Sequence, residues 1–141
     1  MAEVVRWVFE QELKRYSELR EQLHIGTRIS DWPLLLWEVL SQPSGLAVLE
    51  ILQAARSDPA LAEHVGPVQD EIERASARYV RERLGLPEDN VAAVRLLVWA
   101  IRGLTIGQVL VPNPAEMRDS VELFRKILEK AAPGGDIREL E

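Results

Sequence analysis

A chain of 141 residues is of single-domain length and long enough to bury one hydrophobic core. With 47% hydrophobic and 28% charged residues it is globular in composition, which excludes a disordered chain or one embedded wholly in a membrane. The formal net charge of −6, without a basic run, excludes a surface built to grip nucleic-acid phosphates, and the absence of cysteine excludes disulfides and thiolate metal sites.

Ala2 to Leu23 reads as a first helix, with Val5, Phe9, Tyr16, Leu19 and Leu23 near one stripe and Val8 and Leu13 beside it. Its charged, amphipathic start lacks the apolar run of a signal peptide, so a cytoplasmic location is expected. Gly26 closes it. Ser30 and Asp31 supply capping groups ahead of Pro33, and a short helix follows to about Leu40, rich in Trp32, Leu34, Leu35, Leu36 and Trp37. After a break at Ser41 to Gly45, Leu46 to Arg56 forms a third helix that buries Leu46, Leu49, Ile51, Leu52 and Ala55. Asp58-Pro59 ends that helix and starts the next turn. Gly66-Pro67 then opens a longer helix to Leu84, with Val68, Ile72, Ala75 and Tyr79 on one stripe and Gly85 as a terminal left-handed residue. Glu88-Asp89-Asn90 places acidic and capping groups ahead of the next helix.

The helix from Val91 to Val111 is the one around which the chain is organised. At 100° per residue, Val94, Leu97, Val98, Ile101 and Leu104 make a bulky core face. Ala92, Ala93, Leu96, Ala100, Gly103 and Gly107 make a face of mostly small residues, and Arg95, Trp99, Arg102 and Ile106 make a third. Its length would span a bilayer, but Arg95 and Arg102 would then lie in hydrocarbon at about 2.5–3.5 kcal/mol each near the centre, so no membrane span is expected. A helix apolar on most of its perimeter must be covered on most of it, and in so short a chain a second subunit is expected to supply part of the cover. Pro112-Asn113-Pro114 stops it. A last helix from about Ala115 to Ala131 carries Met117, Val121, Phe124 and Leu128 on one stripe, with Leu123 and Ile127 flanking. Pro133-Gly134-Gly135 ends that helix, and residues 135–141 are expected to fray. With no strand alternation and no internal repeat, the class is all-α, with six or seven helices in one domain over residues 1–141.

Enzymatic signatures are missing: there is no nucleophile elbow, no glycine-rich phosphate loop and no cysteine. Glu21-x-x-His24 has the spacing of a carboxylate-bridged metal helix but lacks a second copy, so neither a metal nor a cofactor is expected. Aromatic rings on several helices, with polar groups Arg102, Thr105 and Gln108 on the central one, suggest an apolar cavity with a few orienting donors. The residues placed in it are Trp7, Trp37, Tyr79, Trp99, Arg102 and Thr105, for a mostly apolar, planar ligand. If Arg102 points inward, a carboxylate or phenolate on the ligand, or a protein acid, must meet it. If it points outward it joins a dimer rim, and the ligand can be neutral. The dimer face is assigned to Leu96, Ala100, Gly103 and Gly107 with Met117, Val121, Phe124 and Leu128.

Pro43-Ser44-Gly45-Leu46 and the run from Leu49 to Leu61, LEILQAARSDPAL, resemble the C-terminal effector-binding and dimerisation domain of TetR-type transcriptional regulators. Ala100-Ile101-Arg102-Gly103-Leu104, then Pro112-Asn113-Pro114 and an amphipathic helix, is similar to that domain's ending. The resemblance implies a homodimer with a four-helix interface, a small-molecule effector pocket, and repressor function through a helix-turn-helix that would precede residue 1. An excised domain and a natural short form both accommodate that arrangement. The alternative from the residues alone is a structural α-helical homodimerisation module without a ligand.

Overall fold

Helix formation follows the apolar spacing just described, but the expected caps at Ser30 and Asp31 differ: Asp31 precedes the helix that holds Pro33 in its first turn, yet makes no side-chain cap hydrogen bond. The protein is represented by a computed structural model that describes residues 2–23, 28–84, 91–110 and 113–140. Their order is α1 (Ala2–Leu23), a 3-10 turn (Ile29–Asp31), α2 (Trp32–Leu40), α3 (Pro43–Ala55), α4 (Pro59–Leu84), α5 (Val91–Leu110), α6 (Pro114–Ala131) and a closing 3-10 turn (Ile137–Leu140). No strand occurs among the described residues, and the class is all-α. The features assigned to Gly26, Gly85, Glu88-Asp89-Asn90, Val111 and Pro112 lie outside them, as does His24. The side chains of Leu19, Leu23 and Tyr79 are likewise outside those described.

Two apolar clusters share the interior. One joins α2, α5 and α6 through Leu36, Trp37, Leu40, Leu97, Ile101, Val121 and Leu128. The other joins α1, α3 and α4 through Val5, Phe9, Val48, Val65 and Val68. The two helices nearest in sequence, α2 and α3, meet at 85°. A Cβ at Gly45 would run into the Leu40 backbone carbonyl, so the corner needs glycine there. With Pro43 in its first turn, α3 starts three residues before the expected Leu46.

Instead of breaking at Gly66-Pro67, α4 runs through Pro67 as one helix of 26 residues. An interior proline costs about 3 kcal/mol through its missing N–H and its clash with the preceding turn. The burial of Val65 and Val68 on either side, worth about 1.5–3 kcal/mol each, offsets that. Asp58 caps the true start, its carboxylate accepting from the Leu61 N–H at 3.1 Å.

The expected frayed tail is fastened instead. Ile29 N–H donates to the Gly135 carbonyl at 2.9 Å, Arg28 Nη2 donates to the Pro133 carbonyl at 2.9 Å, and Gly135 takes a left-handed φ of 83°. Glu139 accepts from the Gly134 and Asp136 N–H groups, both at 3.0 Å, and Ile137 is fully buried in the same cluster as Ile29. One apolar residue beyond a helix shows no periodicity, so its burial depends on a contact distant in sequence.

Candidate functional site

On α1 the inward positions are Val5, Phe9, Glu12 and Tyr16, spaced four, three and four residues apart as on one helical stripe. Val5 and Phe9 belong to the second cluster, whereas Tyr16 packs against the first. Glu12 therefore lies on α1 between the parts that serve the two clusters. Arg102 of α5 meets it: Nη2 donates to Glu12 Oε1 at 2.7 Å, with the side chains 4% and 6% exposed. The Tyr16 hydroxyl donates to the same Oε1 at 3.4 Å, and Thr105 Oγ1 donates to the Arg102 carbonyl at 2.7 Å.

The pairing is incomplete. Glu12 Oε2 and Arg102 Nε and Nη1 are buried without a hydrogen-bond partner among the described residues. Burial pushes the Glu12 carboxyl above its ordinary range, while the charge and hydrogen bond of Arg102 and the Tyr16 hydroxyl act against that rise. Burial, with the Glu12 charge beside it, pushes the Tyr16 phenol well above its ordinary value. The Arg102 guanidinium carbon also lies 5.9 Å from the Trp99 ring centroid, within cation–π range.

A second polar group ties α4 to the rim of α5. Glu73 accepts from Arg95 Nε at 2.8 Å, Trp99 Nε1 at 3.2 Å and Gln69 Nε2 at 3.0 Å. Against the raising effect of partial burial, those hydrogen bonds and the Arg95 charge hold its carboxyl below the ordinary value.

The structure thus brings Arg102, Thr105 and Trp99 together, with Glu12 as a member that the sequence reading passed over. The available signal was a carboxylate at the one position where the apolar stripe of α1 is interrupted. Trp37 is buried in the first cluster, but Trp7 is 60% exposed on α1 and lines no interior space. Tyr79 cannot be placed with either, since its side chain is not among those described.

The residues assigned to a dimer face divide similarly. Leu96 is 67% exposed, Gly103 is exposed with open space where a Cβ would point, and Ala100, Gly107, Met117 and Phe124 are half-buried. Gly107 accepts the Met117 sulfur, which would lie 2.8 Å from a Cβ, so α5 and α6 approach closely there. Val121 and Leu128 are inside the chain's own core and offer no surface to a partner. The apolar surface of α6 lies instead on the neighbouring stripe, at Leu123 and Ile127. On α5, Leu96, Trp99, Ile106 and Leu110 fall within a third of a turn of one another and are exposed, Leu110 by 76%. Both helices turn other sides into the same core, so each leaves an apolar stripe uncovered.

No group of His, Asp and Glu suited to a metal occurs among the described residues. Residues 92–110 are long and apolar enough to cross a bilayer; this helix carries the buried Arg102 and packs against α2, α4 and α6 on one side.

No curated protein and no solved structure matches the chain. A family model described as the tetracyclin repressor-like C-terminal domain matches residues 35–132, from within α2 to the end of α6. That match covers well over half of the 141 residues and takes in Arg102, Thr105 and both exposed stripes. The chain belongs to the family of tetracyclin repressor-like C-terminal domains.

Proposed function

We propose that this domain is the effector-sensing and dimerising part of a cytoplasmic transcriptional repressor. The observation that carries the reading is the pair of exposed apolar stripes, one on α6 and one on α5, the latter with large apolar side chains around an uncovered glycine. Exposed apolar patches of this kind mark association surfaces, and a two-fold contact between identical faces is their commonest closure. A small molecule bound inside shifts the balance between two dimer arrangements and so changes the spacing of two DNA readers. The readers are separate from the face described: with a net charge of −6, these residues by themselves bind no operator.

Light scattering at micromolar concentration tests the first half and is expected to give twice the chain mass. A monomer mass throughout that range overturns it. A gel shift at moderate salt is expected to show no sequence-selective binding of duplex DNA by these 141 residues.

A further inference from the structure

Buried charge pairs ordinarily complete their hydrogen bonds, because each unmet buried donor or acceptor costs about 1–3 kcal/mol. The Glu12–Arg102 pair leaves two guanidinium nitrogens and one carboxylate oxygen without a partner among the described residues. The unmet atoms include both signs of hydrogen-bonding group, a donor set and an acceptor, on two side chains held 2.7 Å apart. Beside them stand the Tyr16 hydroxyl, on Glu12 Oε1, and the Trp99 ring, near the guanidinium, with Phe9 one turn before Glu12 on the buried stripe of α1.

We propose that Glu12 and Arg102 are the recognition end of the effector site, and that the effector is an uncharged, mostly apolar molecule bearing an amide or lactam group. This rests on the sensing role proposed above and specifies its ligand. The argument for neutrality is electrostatic. Arg102 points inward, where an isolated guanidinium would demand an anionic ligand, but Glu12 already balances its charge. An ionised carboxylate entering the site would bring an uncompensated charge out of water, whereas an amide brings none. The amide also fits the unmet atoms, its carbonyl accepting from Arg102 Nε or Nη1 and its N–H donating to Glu12 Oε2. The rest of the molecule gains from burial of apolar area.

The test uses the full chain and a fragment panel of planar lactams and amides, each matched with the carboxylic acid and the hydrocarbon of the same skeleton. Ligand-observed NMR at pH 7.5 ranks them, and the Arg102 15Nε–1Hε resonance of the protein reports on the guanidinium. Lactams and amides are expected to bind about tenfold tighter than their matched acids and hydrocarbons and to shift that resonance, a preference erased in Arg102→Lys and Glu12→Gln. The resonance is read in the unaltered protein, so the result stands even if a variant fails to fold. Binding indifferent to the polar group, acids binding best, or an unmoved Arg102 resonance would overturn the proposal while leaving a sensing domain in place. If no member of the panel binds saturably, the amide or lactam class is overturned, while the dimer is tested separately by light scattering.

Discussion

On the inward side of α5 a guanidinium is buried against a carboxylate, whereas on the outward side leucine, isoleucine and tryptophan face solvent. Both are costly for a lone chain. Burying two ions loses hydration worth several kcal/mol per ion, which only good geometry recovers. Leaving a large aliphatic side chain exposed forgoes about 1.5–3 kcal/mol relative to burying it. Elsewhere the chain obeys the ordinary rule, as at Ile101 and Val121, both fully buried. Two opposite departures on one helix have a common explanation if α5 mediates between a bound molecule within and a second subunit without.

The largest expected effect comes from breaking the inward side. Arg102→Met strands Glu12 as an uncompensated buried charge and should cost about 3–5 kcal/mol of stability near neutral pH. The carboxyl can escape by taking a proton. Its folded-state proton affinity is already raised above the ordinary value of 4.5, chiefly by burial, and losing Arg102 raises it further. A carboxyl of that kind stabilises the fold through protonation below its unfolded pKa, and loses that contribution as pH rises through the folded one. Urea unfolding should therefore show the Arg102→Met deficit shrinking as pH falls from 7.5 towards 5. Glu12→Gln should carry a deficit that acid does not relieve, because the stranded group is then a guanidinium. Equal, pH-independent losses in both variants would place the pair in a far more hydrated setting than its burial indicates.

A second contrast lies on α6, where two apolar stripes run side by side. Leu128→Ala removes a core side chain and should cost about 2–5 kcal/mol of folding stability. Leu123→Asp, one stripe round, should leave folding nearly unchanged but weaken the dimer by at least about 2 kcal/mol, roughly thirtyfold in Kd. Light scattering across a dilution series, paired with thermal melting, separates the two effects. Loss of folding stability in Leu123→Asp comparable with that in Leu128→Ala would mean that the stripes share one role.

Those two stripes also show where the sequence was legible and where it was not. Periodicity finds apolar positions on a helix, so the all-α class, α5 as the central helix and most of its core face could be read directly. Periodicity does not say which neighbour covers which stripe. It therefore assigns Val121 and Leu128 to a dimer face, whereas they belong to the chain's interior. The same limit hides contacts made once and far apart in sequence: Ile137 beneath the 3-10 turn at Ile29, and Glu12 beneath Arg102. Pro67 misled for a different reason, since local propensity favours a break and only tertiary burial of Val65 and Val68 outweighs it.

The smallest expected effect is the most discriminating for the outward side, because it sets one substitution against itself at two protein concentrations. Gly103 of α5 lies within a long helix, is exposed, and has nothing within 4 Å of where a Cβ would stand. For the lone chain, replacing it by alanine should stabilise the helix by about 0.8–1.0 kcal/mol. Gly66 of α4 offers no matched control, because it precedes Pro67, whose ring crowds a Cβ on the residue before it in helical backbone. Gly103 has Leu96, Trp99 and Ile106 on its own face. If a second copy packs closely on α5, the added methyl at residue 103 must be accommodated between two helices. Gly103→Ala should then raise the midpoint of thermal unfolding in dilute, monomeric samples and lower the dimer's stability in concentrated ones. A gain unchanged by concentration would show that nothing approaches α5 at residue 103, and any dimer would have to use a different face.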